Sequence, residues 1–171
     1  MDKRTFNILF LCTGNSARSI LAESILNRLG KERFRAFSAG SHPSGRVNPY
    51  ALELLKKLGF PTDGLRSKSW DEFAVASSPH FDFIITVCDN AAGEVCPVWL
   101  GNPASAHWGI PDPAAVQGSD SDKRAAFDLA YKQLQARIER FLNLPLASLD
   151  PSRIRNEMAA IGKMPHTESP E

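Results

Sequence analysis

Residues 12–19 combine the groups that a thiolate needs to attack an oxyanion. They read CTGNSARS, so Cys12 and Arg18 lie six positions apart with a glycine and an asparagine between them. Such a loop can turn successive backbone N–H groups inward, while Arg18 contacts two oxygens of a tetrahedral anion. The same positive field favours a thiolate, so we expect the pKa of Cys12 to be lowered. The alternative, a buried strand-end cysteine near an unrelated surface arginine, is disfavoured by the spacing.

Two further side chains in this loop have expected supporting roles. Ser19 can donate a hydrogen bond to the Cys12 thiolate. Asn15 can hold the shape of the loop, since asparagine tolerates unusual backbone angles.

A candidate general acid, Asp112, lies in the segment WGIPDP at residues 108–113. A carboxylic acid poised over the anion could protonate a departing oxygen. Aspartate and proline are also common turn residues, so Asp112 alone would indicate only a turn. The cysteine loop at residues 12–19 makes the acid the preferred interpretation.

The other two cysteines, Cys88 and Cys96, are separated by seven residues that include a glycine. Two thiols at this spacing form a disulfide only if the intervening loop can close. A zinc site that adds His107 is an alternative, although the spacing is not that of a zinc motif. Two unrelated cysteines are the other alternative. A total of three cysteines argues against a disulfide scaffold and suits redox or nucleophilic chemistry.

These residues must be positioned by strands that alternate with helices. Strands are predicted at residues 7–12, 35–39, 81–87 and 104–108, and helices at residues 17–29, 49–58, 70–76, 120–142 and 151–160. This alternation indicates an α/β fold with a parallel sheet. Cys12, Cys88 and Asp112 each follow a strand, so we expect them at the same edge of the sheet, where ligands of such folds bind.

The overall composition is that of an ordinary globular domain. The chain has 171 residues, 43% hydrophobic residues and a net charge of +1, which argues against a nucleic-acid partner. No apolar run is long enough to span a membrane, and the run at residues 8–12 is too short for a signal peptide. We expect a cytoplasmic monomer with a catalytic domain at residues 5–143 and a partly disordered extension at residues 144–171, to which no function is assigned.

Residues 5–143 resemble the low-molecular-weight protein tyrosine phosphatase superfamily and, within it, the arsenate reductases. The resemblance is carried by CTGNSARS at 12–19, SAG at 38–40, VCD at 87–89, CP at 96–97 and HWGIPDPA at 107–114. It implies a single-domain, three-layer α/β sandwich with a four-stranded parallel sheet. It also implies catalytic roles for Cys12, Arg18, Cys88, Cys96 and Asp112. The residues that would bind the oxyanion are Thr13, Gly14, Asn15, Ser16, Ala17, Arg18 and Ser19.

Two features separate the reductases from the phosphatases of this superfamily. The phosphatases carry aromatic residues after the Asp-Pro pair, where this chain has Ala114 and Ala115. The reductases need extra thiols, and Cys88 and Cys96 lie where the superfamily places them. In the best-known thioredoxin-coupled members, however, these two cysteines are one residue closer together.

The resemblance therefore implies reduction of arsenate to arsenite, without a cofactor. The disulfide would form first between Cys12 and Cys88 and then between Cys88 and Cys96. Thioredoxin would reduce the second disulfide, or glutaredoxin with glutathione could serve instead. A phosphatase that acts through a phosphocysteine is the alternative, with Cys88 as a protective redox partner. A catalytically silent anion-binding module is the third hypothesis.

Some members of the superfamily also bind potassium near the loop through an asparagine, a glutamate, a serine and an aspartate. Asn15, Glu23 and Ser38 match the first three, whereas Lys68 stands near the position of the aspartate. The ammonium group of Lys68 could replace the ion. We therefore predict no metal site and no potassium requirement.

Overall fold

The computed structural model describes residues 5–75, 77–88 and 103–164, and it contains a four-stranded parallel sheet. The strands are β1 Phe6–Cys12, β2 Phe34–Gly40, β3 Phe83–Thr86 and β4 Ala104–His107. Their order across the sheet is β2-β1-β3-β4, and each neighbouring pair is parallel. The predicted α/β class and parallel sheet are confirmed, although β3 is shorter than the predicted strand at residues 81–87.

Strand β1 is central because both of its faces are apolar. Ile8 and Phe10 join the main core on one face, while Leu9 and Leu11 join a smaller core on the other, and none of the four is exposed to solvent. A strand buried on both faces reads as a continuous apolar run, as this one does. Because β1 pairs with both β2 and β3, it places Cys12 in the middle of the carboxyl edge.

The helices lie mainly against the Ile8 and Phe10 face. They are α1 Arg18–Leu29, α2 Pro49–Lys57, α3 Asp120–Leu142 and α4 Pro151–Gly162. Asn48 caps α2, and Ser119 forms a capping box with Asp122 at the start of α3. These four helices confirm the predicted ones, with shifts of one or two residues at the ends.

The predicted helix at residues 70–76 is wrong. The structure has a single 3₁₀ turn, Trp70–Phe73, which Ser69 caps by accepting a hydrogen bond from the Asp71 amide. Only Trp70 of this turn is buried, in the smaller core with Leu9 and Leu11. Phe73 also packs, partly buried, against this core, but two anchoring side chains without a longer apolar stripe do not supply the tertiary packing that sustains an α-helix.

The chain after residue 143 contributes to the main core. Met158 and Ile161 of α4 are 0% and 4% exposed, and α4 packs against the edge strand β4. Residues 165–171 of this extension lie outside the described part, so its partial disorder stays a prediction. Among the described residues, no helix is long and apolar enough to cross a membrane.

Candidate active site

The three predicted chemical groups meet at the carboxyl edge of the sheet. Cys12 ends β1, Cys88 follows β3, and Asp112 follows β4. Residues 108–112, called the acid loop below, cross the end of β3. Two backbone hydrogen bonds hold them there: the Trp108 amide donates to the Thr86 carbonyl (2.7 Å), and the Ile110 amide donates to the Val87 carbonyl (3.3 Å).

The loop after Cys12 is shaped by Asn15. This residue has a positive φ of 45° and is completely buried. Its side chain donates to Ser19 Oγ (2.8 Å) and accepts from the Lys68 amide (2.9 Å). An amide side chain that tolerates the left-handed conformation and bonds in both directions fixes the turn, as the sequence predicted.

The carbonyl groups of this loop point away from its centre. The Thr13 carbonyl accepts from the His42 amide, the Gly14 carbonyl from the Ser44 amide, and the Ser16 carbonyl from the Asn48 amide, at 2.8–3.0 Å. A backbone with its carbonyls held outward can aim N–H groups inward. The N-cap residue of α1, Ala17, also provides no side-chain cap, which leaves the first amides of the helix suited to bind an anion.

Gly40, at the end of β2, allows this loop to lie against the sheet. A Cβ atom at this position would lie 2.4 Å from the Thr13 carbonyl oxygen and 2.8 Å from that of Cys12. No real side chain fits at those distances. Sequence reasoning used Gly40 only as part of the family resemblance, because a close backbone approach leaves no signal beyond the glycine itself.

The two described thiols, Cys12 and Cys88, are reduced and buried, with 5% and 2% of their surface exposed. Cys88 Sγ accepts a hydrogen bond from the Thr13 amide (3.2 Å) and lies 3.6 Å from the Thr13 hydroxyl. Cys12 and Cys88 also hydrogen-bond to one another. The second thiol is therefore already beside the first, before any rearrangement of the chain.

The predicted lowering of the Cys12 pKa is wrong for this pair. The hydrogen bond with Cys88 and burial raise the pKa of the Cys12 thiol, while the Arg18 charge and the Thr13 amide oppose that rise. Two sulfurs this close hold at most one negative charge between them, because ionising one disfavours ionising the other. The nucleophilic charge therefore belongs to the pair rather than to Cys12 alone.

Arg18 joins the loop to the candidate acid. One guanidinium nitrogen donates to the Ile110 carbonyl (3.0 Å), and the other lies 3.5 Å from Asp112 Oδ2. The Arg18 side chain is 14% exposed and that of Asp112 is 41% exposed, so the acid is on the solvent side. The second carboxylate oxygen of Asp112 accepts from the Ala114 amide (2.9 Å) and caps a 3₁₀ turn, Pro113–Ala115.

Ala114 and Ala115, which follow the Asp-Pro pair, are both exposed and carry only methyl groups. The side chains at these two positions thus offer no ring surface on which an aryl substrate could stack.

A buried cationic group, Lys68, lies behind the loop. Its ammonium donates to the Arg66 carbonyl (2.9 Å) and lies 3.5 Å from Ser38 Oγ, which in turn donates to Glu23 (2.5 Å). Burial raises the pKa of Glu23, and the Lys68 charge opposes this. Burial likewise lowers the pKa of Lys68, and the Glu23 charge opposes this. The three residues that match the potassium ligands are thus gathered around Lys68.

The remaining thiol, Cys96, lies outside the described residues, as does the rest of the segment 89–102. The described side chains include no group of three or more histidine, cysteine or acidic residues arranged to hold a metal. His107, which the zinc alternative used, hydrogen-bonds through Nδ1 to the Thr86 hydroxyl at 2.7 Å.

Comparison with known proteins gives consistent similarities. The sequence model of the low molecular weight phosphotyrosine protein phosphatase family matches residues 7–154. An arsenate reductase of Halalkalibacterium halodurans is 35% identical over 141 residues, which cover 82% of this chain and 96% of that protein. The crystal structure of an arsenate reductase from Archaeoglobus fulgidus is 27% identical with a TM-score of 0.57, over 77% of this chain and 98% of that one.

A tyrosine phosphatase of Erwinia amylovora has the same fold, with a TM-score of 0.62 at 20% identity, over 82% of this chain and 93% of that one. The fold is therefore shared by reductases and phosphatases. The choice between the two chemistries depends on the site.

Proposed function

Because the chain belongs to the low molecular weight phosphotyrosine protein phosphatase family, we propose that it uses the oxyanion loop of that family to reduce arsenate to arsenite. The observation that carries this proposal is the pair of reduced, buried thiols, Cys12 and Cys88, in hydrogen-bond contact within the loop. A phosphatase needs one nucleophilic cysteine, whereas reduction needs a second thiol beside the first. The similarity to a protein named arsenate reductase over nearly its whole length supports the same choice.

In the first step, the Cys12 thiolate attacks the arsenic atom. The inward amides of the loop and the guanidinium of Arg18 hold the arsenate oxygens. The sulfur–arsenic bond forms as an arsenic–oxygen bond breaks, and Asp112 supplies the proton with which that oxygen leaves as water. Asp112 lies 3.5 Å from Arg18, so a substrate oxygen bound by Arg18 is close to the carboxyl group.

In the second step, Cys88 attacks the sulfur of Cys12. A Cys12–Cys88 disulfide forms, and the electrons of the sulfur–arsenic bond stay on arsenic, which is reduced from As(V) to As(III). The Cys88 proton passes to an oxygen of the departing arsenite. Existing contacts favour this step, since Thr13 holds Cys88 Sγ through its backbone amide beside the nucleophile.

In the third step, Cys96 attacks Cys88, which releases Cys12 as a thiol and leaves a Cys88–Cys96 disulfide. A protein thiol donor then reduces that disulfide, and we propose thioredoxin, with glutaredoxin and glutathione as the other candidate. This cycle would operate in the cytoplasm, where thiol pools keep cysteines reduced. We further propose that the protein acts as a monomer without a metal or organic cofactor.

The test combines a multiple-turnover assay with a single-turnover assay. In the first, arsenate, thioredoxin, thioredoxin reductase and NADPH are supplied, and NADPH loss is followed. In the second, the reduced protein meets arsenate without a donor, and arsenite is counted per chain. We expect wild-type protein and Cys96→Ser each to release about one arsenite per chain, whereas only the wild type continues to turn over.

Two variants complete this test. Cys12→Ser and Cys88→Ser should release no arsenite in either assay. Continued turnover by Cys88→Ser would rule out the relay. Fast aryl-phosphate hydrolysis by a wild-type protein that forms no arsenite would instead identify a phosphatase.

A further inference from the structure

The C-terminal helix α4 makes direct contact with the start of the acid loop. It packs along β4, and the Trp108 indole Nε1 donates to the Met158 carbonyl at 2.9 Å. Both Trp108 and Met158 are completely buried. The first residue of the acid loop is therefore hydrogen-bonded, through its side chain, to a helix that is 50 positions away in sequence.

The contact continues at the last residue of α4, Gly162. A Cβ atom there would lie 2.1 Å from the His107 carbonyl oxygen and 3.0 Å from the Trp108 ring. Only a glycine fits here, because the backbone of α4 lies directly against the end of β4 at this position. Beyond it, the Met164 carbonyl accepts from Arg137 of α3 at 3.1 Å, which ties the end of the helix to the main core.

The acid loop carries this constraint from Trp108 to the substrate-binding arginine. The Trp108 ring packs against Phe10 and Phe141, with centroids 6.4 and 5.8 Å apart, so it has little freedom to shift. Two residues later, the Ile110 carbonyl accepts from Arg18 at 3.0 Å. Two residues further, Asp112 makes its ion pair with the same guanidinium. A five-residue stretch thus joins α4 at one end to Arg18 at the other.

We propose that α4 is a positioning element of the active site, which holds the acid loop where Ile110 and Asp112 orient Arg18. This inference rests on the proposed roles of Arg18 and Asp112. Met158 and Gly162 lie beyond residues 7–154, the part that the family model matches. The contacts of α4 with the acid loop therefore come from residues that the family model does not match.

The primary test replaces Gly162 with alanine, because the added methyl group must separate α4 from the end of β4. The matched control is Ala159→Gly, an exposed position of the same helix, where the change weakens the helix without altering its packing. A displacement of about 1 Å in a catalytic group can cost about 100-fold in rate. We expect kcat for arsenate reduction to fall about 10- to 100-fold in Gly162→Ala and less than about two-fold in Ala159→Gly.

A double-mutant cycle separates positioning from general destabilisation. If α4 acts through the acid loop, Gly162→Ala should lower kcat by a smaller factor in an Asp112→Asn background than in the wild type, since the Asp112 ion pair that it supports is already lost. Equal fold losses in the two backgrounds would overturn the proposal. Unchanged kcat in a folded Gly162→Ala protein would also overturn it.

Trp108→Phe provides a second variant if Gly162→Ala does not fold, because it removes the indole hydrogen bond and keeps the ring packing. Trp108→Phe should likewise lower kcat less in the Asp112→Asn background than in the wild type. Equal fold losses in the two backgrounds would again refute the proposal.

Two further measurements distinguish this inference from the proposed function. Aryl-phosphate hydrolysis would use the same Cys12, Arg18 and Asp112, so the cycle is run on both reactions. If the protein forms no arsenite but the two substitutions are coupled in aryl-phosphate hydrolysis, the positioning role of α4 stands and the proposed reductase function is rejected. Affinity for inorganic phosphate, measured by calorimetry, needs no turnover and should fall several-fold in Gly162→Ala alone. If Gly162→Ala leaves the phosphate affinity unchanged and its effect simply adds to that of Asp112→Asn, the positioning role of α4 is rejected, whichever reaction the protein catalyses.

Discussion

Replacing Lys68 with methionine should destabilise the protein in a manner that depends on pH. Lys68 is 9% exposed, and its charge is the main influence that opposes the raised pKa of Glu23. Removing one partner of a fully buried ion pair costs about 3–5 kcal/mol. Glu23 retains some solvent contact and the Ser38 hydrogen bond, so we expect a loss of about 2–4 kcal/mol at pH 7.5. For a protein of this size, that corresponds to a fall in Tm of about 5–15 °C.

The pH dependence follows from the direction of the Glu23 shift. A carboxyl group whose pKa is raised by folding binds more protons in the folded state, so stability is lost as pH rises from the ordinary value of 4.5 through the raised one. Without Lys68 the pKa of Glu23 rises further, which extends this loss toward neutral pH. We therefore expect the difference between Lys68→Met and wild type to shrink below about 1 kcal/mol at pH 5.

Urea unfolding at pH 5 and pH 7.5 measures both quantities. Lys56→Met is the control, because Lys56 is an exposed lysine on α2 and should change stability by less than about 0.5 kcal/mol. A loss that is equal at the two pH values, or no greater than in the control, would refute the electrostatic coupling between Lys68 and Glu23. Because the Lys68 ammonium takes the place of the ion, wild-type activity should be equal in potassium chloride and in sodium chloride. Potassium should stabilise the Lys68→Asp variant more than sodium does.

Three other substitutions test the site itself. Thr13→Val removes the hydroxyl that lies 3.6 Å from Cys88 Sγ and keeps the Thr13 amide contact, so single-turnover arsenite release should slow about 2- to 10-fold while aryl-phosphate hydrolysis is unchanged. Equal slowing of both reactions would contradict this. Gly40→Ala places a methyl group 2.4 Å from the Thr13 carbonyl oxygen and should lower stability by about 1–3 kcal/mol and phosphate affinity with it, as read by unfolding and calorimetry. Ala114→Tyr adds a ring beside Asp112 and should lower KM for an aryl phosphate several-fold without changing kcat/KM for arsenate. A change in kcat/KM for arsenate that accompanies the change in KM for the aryl phosphate would contradict this.

The sequence was sufficient to predict which reactive side chains meet at the carboxyl edge of the sheet. Cys12 and Arg18 at a strand-to-helix junction, and Asp112 after the last strand, follow from pattern and from the geometry of parallel sheets. The left-handed conformation of Asn15 was predictable for the same reason, because few residue types adopt it.

The contacts that backbone atoms make could not be predicted in this way. The Ile110 carbonyl that accepts from Arg18 and the Thr13 amide that donates to Cys88 would exist for almost any residue at those positions. The pKa of Cys12 depends on its distance from Cys88, 76 positions away, and only the fold sets that distance. Gly162 could be recognised as a helix end but not as the point where two backbones touch.

The burial of Cys12 and Cys88 also bears on how many thiols the proposed relay requires. A reducing protein must bring its own sulfur within bonding distance of the disulfide that it attacks. With only 5% and 2% of these residues exposed, the pair offers little surface to a bulky reductant. Oxidation of the pair would leave the chain spent after a single substrate molecule. Under the proposed relay, repeated turnover would therefore require a further thiol that accepts the disulfide from this pair and passes it to the reductant.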